Sequence, residues 1–273
     1  DWGNWFGVTN NRPIWHFVLA DDYLRRNPHV TYPNGQRDLS KSPTTNKVFP
    51  RSEKGVFYHP SEVGRFTSCN SAIVYRDELF GTGFERNWFV SEPSHNLIHR
   101  EVMQPDGVSF RSTRAAEESE SEFLASTDTW FRPNMLRTGP DGALWFADMY
   151  REVIDHPEYI PTDQHARLDF RRGGQSGRIY RVLPKRVSAR AVPRLVGLSG
   201  QKLAGLLESP NGTLRDMVQK QIVWHKPPGA VRVLEHQAIH SQQPTCRLQS
   251  LWTLECLEQL KPTTVLQALE DRH

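Results

Sequence analysis

Arg137-Thr138-Gly139-Pro140-Asp141-Gly142-Ala143-Leu144-Trp145-Phe146-Ala147-Asp148-Met149-Tyr150 is the stretch on which the fold is read, and Gly177-Arg178-Ile179-Tyr180-Arg181-Val182-Leu183 follows it after a long loop. Gly-Pro-Asp-Gly lies between two short apolar segments, which predicts a tight turn joining antiparallel strands. Leu-Trp-Phe-Ala then supplies a buried strand. Gly-Arg-Ile-Tyr-Arg-Val alternates apolar and polar residues, the pattern of an outer, half-exposed strand. Strand, Pro-Asp-Gly turn, strand, loop, strand is the order of one β-propeller blade.

A second such unit precedes it. Ser71–Tyr75, Asn87–Glu92 and Leu97–Val102 read as three strands, with Gln104-Pro105-Asp106-Gly107 turning into Val108–Arg111. The units lie roughly 60–65 residues apart, longer than common propeller repeats. Trp2–Val8 and Ile14–Leu19 read as part of a third unit whose beginning is missing. Between this third unit and the second, residues 21–66 are rich in Pro, Asn, Arg and Ser and show no sustained period. That span is expected to be a long excursion on one face, of the kind that often carries function.

A family resemblance rests on these segments. Residues 68–183 resemble the last blades of the soluble glucose/sorbosone-dehydrogenase propellers, through Ala72-Ile73-Val74-Tyr75-Arg76, Asn87-Trp88-Phe89-Val90, an arginine before Gly139-Pro140-Asp141-Gly142-Ala143-Leu144, and Gly177–Val182. A closer likeness runs along nearly the whole chain. It is carried by Asn11–His16, Tyr23–His29, Thr67-Ser68-Cys69, Glu92–Leu97, Phe131–Asn134 and Asp148–Pro161. In these the chain resembles the large membrane-bound dehydrogenases of planctomycete-type bacteria. The resemblance implies a propeller of six-bladed type joined to HEAT-like helices, often with a haem c domain in the parent chain. It also implies pyrroloquinoline quinone, with calcium, as cofactor and a sugar or related alcohol as substrate. Electrons would pass to the cytochrome c domain, and the setting would be the periplasm or cell envelope.

Composition fits a globular protein: 24% of residues are charged and 10% aromatic, enough of each to give a soluble surface and a filled core. No apolar run approaches the roughly 20 residues needed to span a bilayer. A closed propeller needs more strands than residues 1–183 offer, so the chain reads as a piece of a longer one, with any targeting signal upstream.

After a linker at Pro184–Pro193 the apolar period changes from 2 to about 3.6. Ser199 is placed to cap a helix over Gln201–Glu208, and Ser209-Pro210-Asn211 ends it and caps another. Leu214, Met217, Val218, Ile222 and Val223 form the stripe of that second helix. Pro227-Pro228 breaks it, and Val231, Val233, Leu234 and Ile239 continue in a third. Pro244 opens a fourth, with Leu248, Leu251, Trp252 and Leu254 inward, and Pro262 a fifth. Helix pairs recurring at roughly 35–40 residues predict the start of a HEAT/armadillo-like α-solenoid over 194–273, a surface for protein contacts. The fold class expected is therefore mainly β plus α.

Cys69, Cys246 and Cys256 show no Cys-x-x-Cys-His and no zinc spacing, so no covalent haem site lies in this segment. Cys246 and Cys256 fall about 15 Å apart along one helix, too far to bridge. All three are expected to be buried small apolar residues.

Arginine suits quinone carboxylates because its planar fork pairs bidentately with them. The resemblance places Arg132 near that task, although the spacing to Gly139 is longer than in the sugar dehydrogenases; the alternative is an arginine packed on Trp130 and Phe131. Asp148 ends the Leu-Trp-Phe-Ala strand. It is expected either to orient Arg151 or accept from a sugar hydroxyl at the cofactor pocket, or to form a buried Asp–Arg pair closing a turn. His156 is a pocket residue or a cap within its loop. His95 and Asn96 offer donors and acceptors for a polar substrate, or plain turn chemistry, and Asn11, Arg12 and His16 carry the same two readings. No catalytic base is assigned, since the resemblance puts it on an earlier blade.

Other patterns are weaker. Gly173-Gly174-Gln175-Ser176-Gly177 is followed by a strand where a phosphate loop needs a helix. His236 and His240 lie four apart on a helix but lack a third zinc ligand. Glu117–Glu122 lacks calcium-loop spacing and reads as an acidic surface loop. A net charge of +3, spread along the chain, argues against nucleic acid. A non-catalytic propeller that binds glycan or protein, with the helices as scaffold, is the alternative function.

Overall fold

The computed structural model describes residues 1–31, 34–40, 46–52 and 63–272. The fold is mixed β and α: the strands lie between residues 5 and 182, and the longer helices between 200 and 268. Parts of the 21–66 excursion lie outside the described residues; the rest holds a helical turn, α1 (Asp21–Leu24), and a strand that periodicity alone does not reveal.

Among the described residues, three antiparallel sheets form the β part. The first joins β1 (Trp5–Thr9), β2 (Arg12–Phe17) and the short β3 (Gln36–Asp38) in that order. In the second, β4 (Asn70–Val74), β5 (Asn87–Glu92), β6 (Leu97–Asp106) and β7 (Ser109–Arg114) follow one another, and β8 (Leu124–Ala125) pairs with the start of β6. The third sheet joins β9 (Pro133–Thr138), β10 (Leu144–Asp148) and β11 (Arg178–Val182).

The Gly-Pro-Asp-Gly segment is the β9–β10 turn. Gly139 N–H donates to Ala143 O at 2.8 Å and Gly142 N–H to Gly139 O at 3.0 Å. Asp141 Oδ1 accepts from Ala143 N–H at 3.1 Å and from Trp145 Nε1 at 2.9 Å, so one carboxylate fixes both the turn and the ring beyond it. Gly142 sits at φ +88°, and a Cβ there would come within 2.9 Å of Leu79, so both conformation and space call for glycine.

Period-2 alternation settles how the sheets pack. Trp88 and Val90 of β5 face the first sheet and meet Ile14, Leu39 and Phe66, while Phe89 faces the third and meets Phe131, Leu136 and Phe146. Trp88 and Phe89 are fully buried; each such side chain contributes about 2–3 kcal/mol by area. β4 packs against both β1 and β9, so the middle sheet is clasped on each side. Two expectations change here. β6 runs on through Gln104–Asp106, which moves the turn to Asp106–Ser109. β11 is exposed along nearly all its length rather than half-buried.

The helical part follows its caps. Ser199 Oγ accepts from Lys202 N–H at the start of α2 (Gly200–Gly205), and Asn211 Oδ1 accepts from Leu214 N–H at 2.6 Å at the start of α3 (Gly212–His225). α4 (Ala230–His240), α5 (Pro244–Cys256) and α6 (Pro262–Ala268) follow, the last two with proline at the first helical position. Leu207, Leu214, Val218, Ile222, Leu234 and Leu254 meet in one core. Met217 and Trp252 do not join it: both face outward. Cys256 is likewise exposed, whereas Cys69 and Cys246 are buried.

The start of α3 docks on the sheets through polar contacts. Gly212 N–H donates to Arg76 O, Thr213 Oγ1 to Thr138 O, and Asn211 Nδ2 to Gly139 O at 2.7 Å and to the buried Asp77. Arg76 pairs with Asp216 at 2.6 Å. The 184–193 segment is itself tied down, with Arg190 paired to Asp77 and its N–H donated to Asp141 O. No helix among the described residues is long and apolar enough to cross a membrane.

Candidate functional site

The two second strands of the middle and last sheets end alike. β5 closes on Glu92 and β10 on Asp148, both buried, and each carboxylate accepts main-chain N–H groups from residues just ahead of its sheet's first strand. Glu92 accepts from Thr67 N–H at 3.2 Å, from Ser68 N–H at 3.0 Å and from the Ser68 hydroxyl at 2.5 Å. The Cys69 thiol adds a donor at 3.4 Å. Asp148 Oδ1 accepts from Arg132 N–H at 2.8 Å and Tyr150 N–H at 2.9 Å. Repeated in two sheets, this latch fixes where each sheet begins against where its second strand ends. Asp148 therefore does not pair with Arg151, as the sequence suggested; Arg151 Nη1 donates to Arg171 O at 3.1 Å instead. The other Asp148 oxygen, Oδ2, is buried without a hydrogen-bond partner among the described residues.

Arg132, His95 and Asn96 are brought together beside this latch. Arg132 is buried, and its guanidinium donates to Arg151 O at 3.0 Å, Pro93 O at 2.8 Å and Glu152 O at 2.8 Å, with Ser94 O at 3.5 Å. It thus staples the β5–β6 loop to the segment after β10, and its donors go to main-chain carbonyls rather than to an open pocket. The sequence alternative of stacking on Trp130 is met by Arg172, 5.0 Å from that ring. Asn96 adopts the left-handed region at φ 58° and ends the short turn at Pro93–His95. Its Nδ2 donates to Thr129 O and Phe131 O at 3.0 and 2.6 Å, and its Oδ1 accepts from the Ser52 hydroxyl. His95 is buried; Nε2 accepts from Gly64 N–H at 2.9 Å, which leaves Nδ1 as the donor to Glu92 at 3.3 Å.

The remaining sequence candidates lie apart. Asn11 is exposed in the β1–β2 turn. Arg12 pairs with Asp38 of β3 at 2.6 Å and lies over Trp15. His16 is buried between Phe6 and Phe110, with Nε2 donating to Asn4 Oδ1 at 3.1 Å and Nδ1 accepting from the Ser109 hydroxyl at 3.0 Å; burial lowers its pKa. His156 is exposed and caps the turn at Pro157–Tyr159, its Nδ1 accepting from Glu158 N–H.

Sequence reasoning missed a buried ion network on β6. His99 Nδ1 faces Glu122 at 2.7 Å and Nε2 faces Glu101 at 3.2 Å, all three side chains fully buried. Arg114 pairs with Glu122 at 3.1 Å, and the Ser112 hydroxyl donates to Glu101 at 2.6 Å. Burial opposes the charged imidazole, but hydrogen bonds and charge from the two carboxylates outweigh it, and the pKa of His99 is raised. Glu122 shows the mirror case: burial pushes its carboxyl up, and His99 and Arg114 bring it below the ordinary value. The supposed acidic surface loop is thus partly an inward one, with Glu118 joining Arg100 at 2.9 Å and Glu122 joining His99. The readable signal was the alternation His99-Arg100-Glu101, a strand whose inward positions are charged and so must be paired. Among the described residues no group of three or more His, Cys, Asp or Glu side chains is arranged to hold a metal ion.

The profile of a family described as Domain of unknown function (DUF7133) matches residues 1–186. The chain belongs to that family. The DUF7133 region spans all three sheets and stops ahead of α2. No curated protein and no solved structure matches the chain.

For a carboxylated quinone, the fit at Arg132 is poor as the side chain stands. Taking a ligand carboxylate there would strip donors from the buried carbonyl of Pro93 and the part-buried carbonyls of Arg151 and Glu152, a cost of about 1–3 kcal/mol for a group left buried and unpaired. The arrangement around Arg132 is a mechanical joint.

Proposed function

We propose that residues 1–183 form the last blades of a β-propeller and residues 194–273 the start of a HEAT-like solenoid. We read the pair as a recognition module that binds glycan, in an exported, dehydrogenase-like bacterial protein of the cell envelope. What carries this reading is Arg132, the residue placed nearest to a quinone-binding role, whose guanidinium is committed to the carbonyls of Pro93, Arg151 and Glu152. His16, His95 and Asn96 are likewise satisfied inside the protein, as groups that hold a scaffold are. The propeller supplies ligand-facing loops, the helices a rigid arm for protein contacts, and a cytochrome c domain of the parent chain need not draw electrons from this segment.

Quinone-dependent oxidation of a sugar or alcohol, with calcium, remains the rival. Asp148 Oδ2 is the observation on its side, since a buried carboxylate oxygen without a partner can serve an incoming donor. The reading is tested by calorimetric titration of the whole chain with a panel of neutral and acidic oligosaccharides. Saturable binding to at least one, unchanged in Asp148→Asn, supports recognition. Absence of binding across the panel overturns it.

A further inference from the structure

Gly173–Ser176, from the glycine-rich segment, wall an open cleft of about 560 Å³ with Arg151 and Arg171. Its shape is set by two close approaches. Gly173 has φ +87° and a Cβ on it would fall 2.2 Å from Tyr150 O, so the loop lies directly on the end of the β10 segment. A Cβ on Gly174 would stand 2.6 Å from Arg151 Nη1, so the bare backbone is what lets that guanidinium rest against the loop.

The charges around the cleft are unequal. Asp169 spends Oδ1 on Arg171 N–H at 3.0 Å, Glu152 faces Arg172 at 3.6 Å, and Asp148 is turned inward to Arg132 and Tyr150. Arg172 lies over Trp130 and Arg178 over Tyr150. That leaves Arg151, held in place by Arg171 O, and Arg171, whose guanidinium has no partner among the described residues. Gly174 and Ser176 N–H bond back within the loop, while those of Gly173 and Gln175 meet no acceptor among the described residues. Two guanidinium groups and unspent main-chain donors beside a glycine loop make a site for an oxyanion.

We propose that this cleft binds the anionic group of an acidic sugar, a carboxylate or a sulfate ester, and so sets which glycans the module takes. The proposal names a ligand class for the recognition reading and rests on it.

The test titrates the whole chain with an oligogalacturonate, its methyl ester, a sulfated oligosaccharide and inorganic sulfate. The acid should bind roughly ten- to a hundredfold more tightly than the uncharged ester, the value of a lost charge-assisted contact. Arg171→Ala, at an exposed position, should remove most of that advantage, bringing the affinity for the acid toward that for the ester; Arg151→Lys should remove part of it. The carboxylate and sulfate arms show which oxyanion is preferred. Equal binding of acid and ester overturns the cleft and leaves glycan recognition standing. Sulfate binding that depends on Arg171, without binding of any sugar, keeps the cleft and removes the glycan. No binding of any probe overturns both.

Discussion

Truncating Arg132 should unfold the protein more readily long before it alters any ligand. Its side chain makes three bonds of 2.8–3.0 Å to the carbonyls of Pro93, Arg151 and Glu152, from a buried position. Bonds from a charged donor contribute about 1.5–3 kcal/mol each, so the gross loss is roughly 4.5–9 kcal/mol. Water entering the vacated space recovers part of it, and about 3–5 kcal/mol should remain, the range seen when a buried network is broken. Arg132→Lys keeps the charge but not the planar fork, and should cost about 1–2 kcal/mol. Guanidinium denaturation, with the midpoint read at unchanged slope, measures both. A loss below about 1 kcal/mol for Arg132→Ala would refute the staple and return Arg132 to the list of ligand-binding groups.

Three further outcomes follow from other sites. His99, with its raised pKa, adds stability that is fully present below the unfolded value near 6.5 and is lost as pH rises through its folded value; denaturation midpoints between pH 6 and 9 should fall accordingly, and His99→Gln should flatten the trend. Thiol labelling of the native protein should modify Cys256 alone: it is exposed, while burial raises the thiol of Cys69 far above its ordinary range and that of Cys246 to about 11; modification of all three at equal rates contradicts the packing. Asn211→Ala removes the α3 cap and the donor to Asp77 and Gly139, and should cost about 2–4 kcal/mol, against about 1 kcal/mol for loss of a cap alone; a thermal shift of less than about 2 °C argues against a firm junction between helices and sheets.

What was legible in the sequence was local. The Gly139–Gly142 turn, the β5 strand and the caps at Ser199 and Asn211 follow from short-range chemistry, and the structure has them where the residues put them. β3 was not readable because Gln36-Arg37-Asp38 carries no apolar signal; it is a strand because β2 offers it an edge. Trp252 and Met217 misled for the opposite reason: an apolar residue at helical spacing need not face the core when the neighbouring helix lies on the other side. The site candidates were found as a neighbourhood but not as a function. Arg132, Asp148, His95 and Asn96 do meet, yet which atoms they spend on main-chain groups depends on loops more than 30 residues apart, as in the Arg132 bond to Pro93 with its separation of 39. Glu92 escaped notice because a lone acid at a strand position shows nothing until its partners are folded against it; the His99-Arg100-Glu101 alternation says only that inward charges need partners, and the distant one, Glu122, is supplied by the fold.

The measurement that decides between scaffold and cofactor site is an equilibrium titration of the whole chain with pyrroloquinoline quinone and calcium, repeated on Arg132→Lys. With Arg132 committed to carbonyls, no saturable quinone binding is expected in either protein up to the solubility of the quinone. Micromolar binding by the wild-type chain that Arg132→Lys loses, at a folding midpoint showing it still native, would contradict the account and make the joint a cofactor pocket.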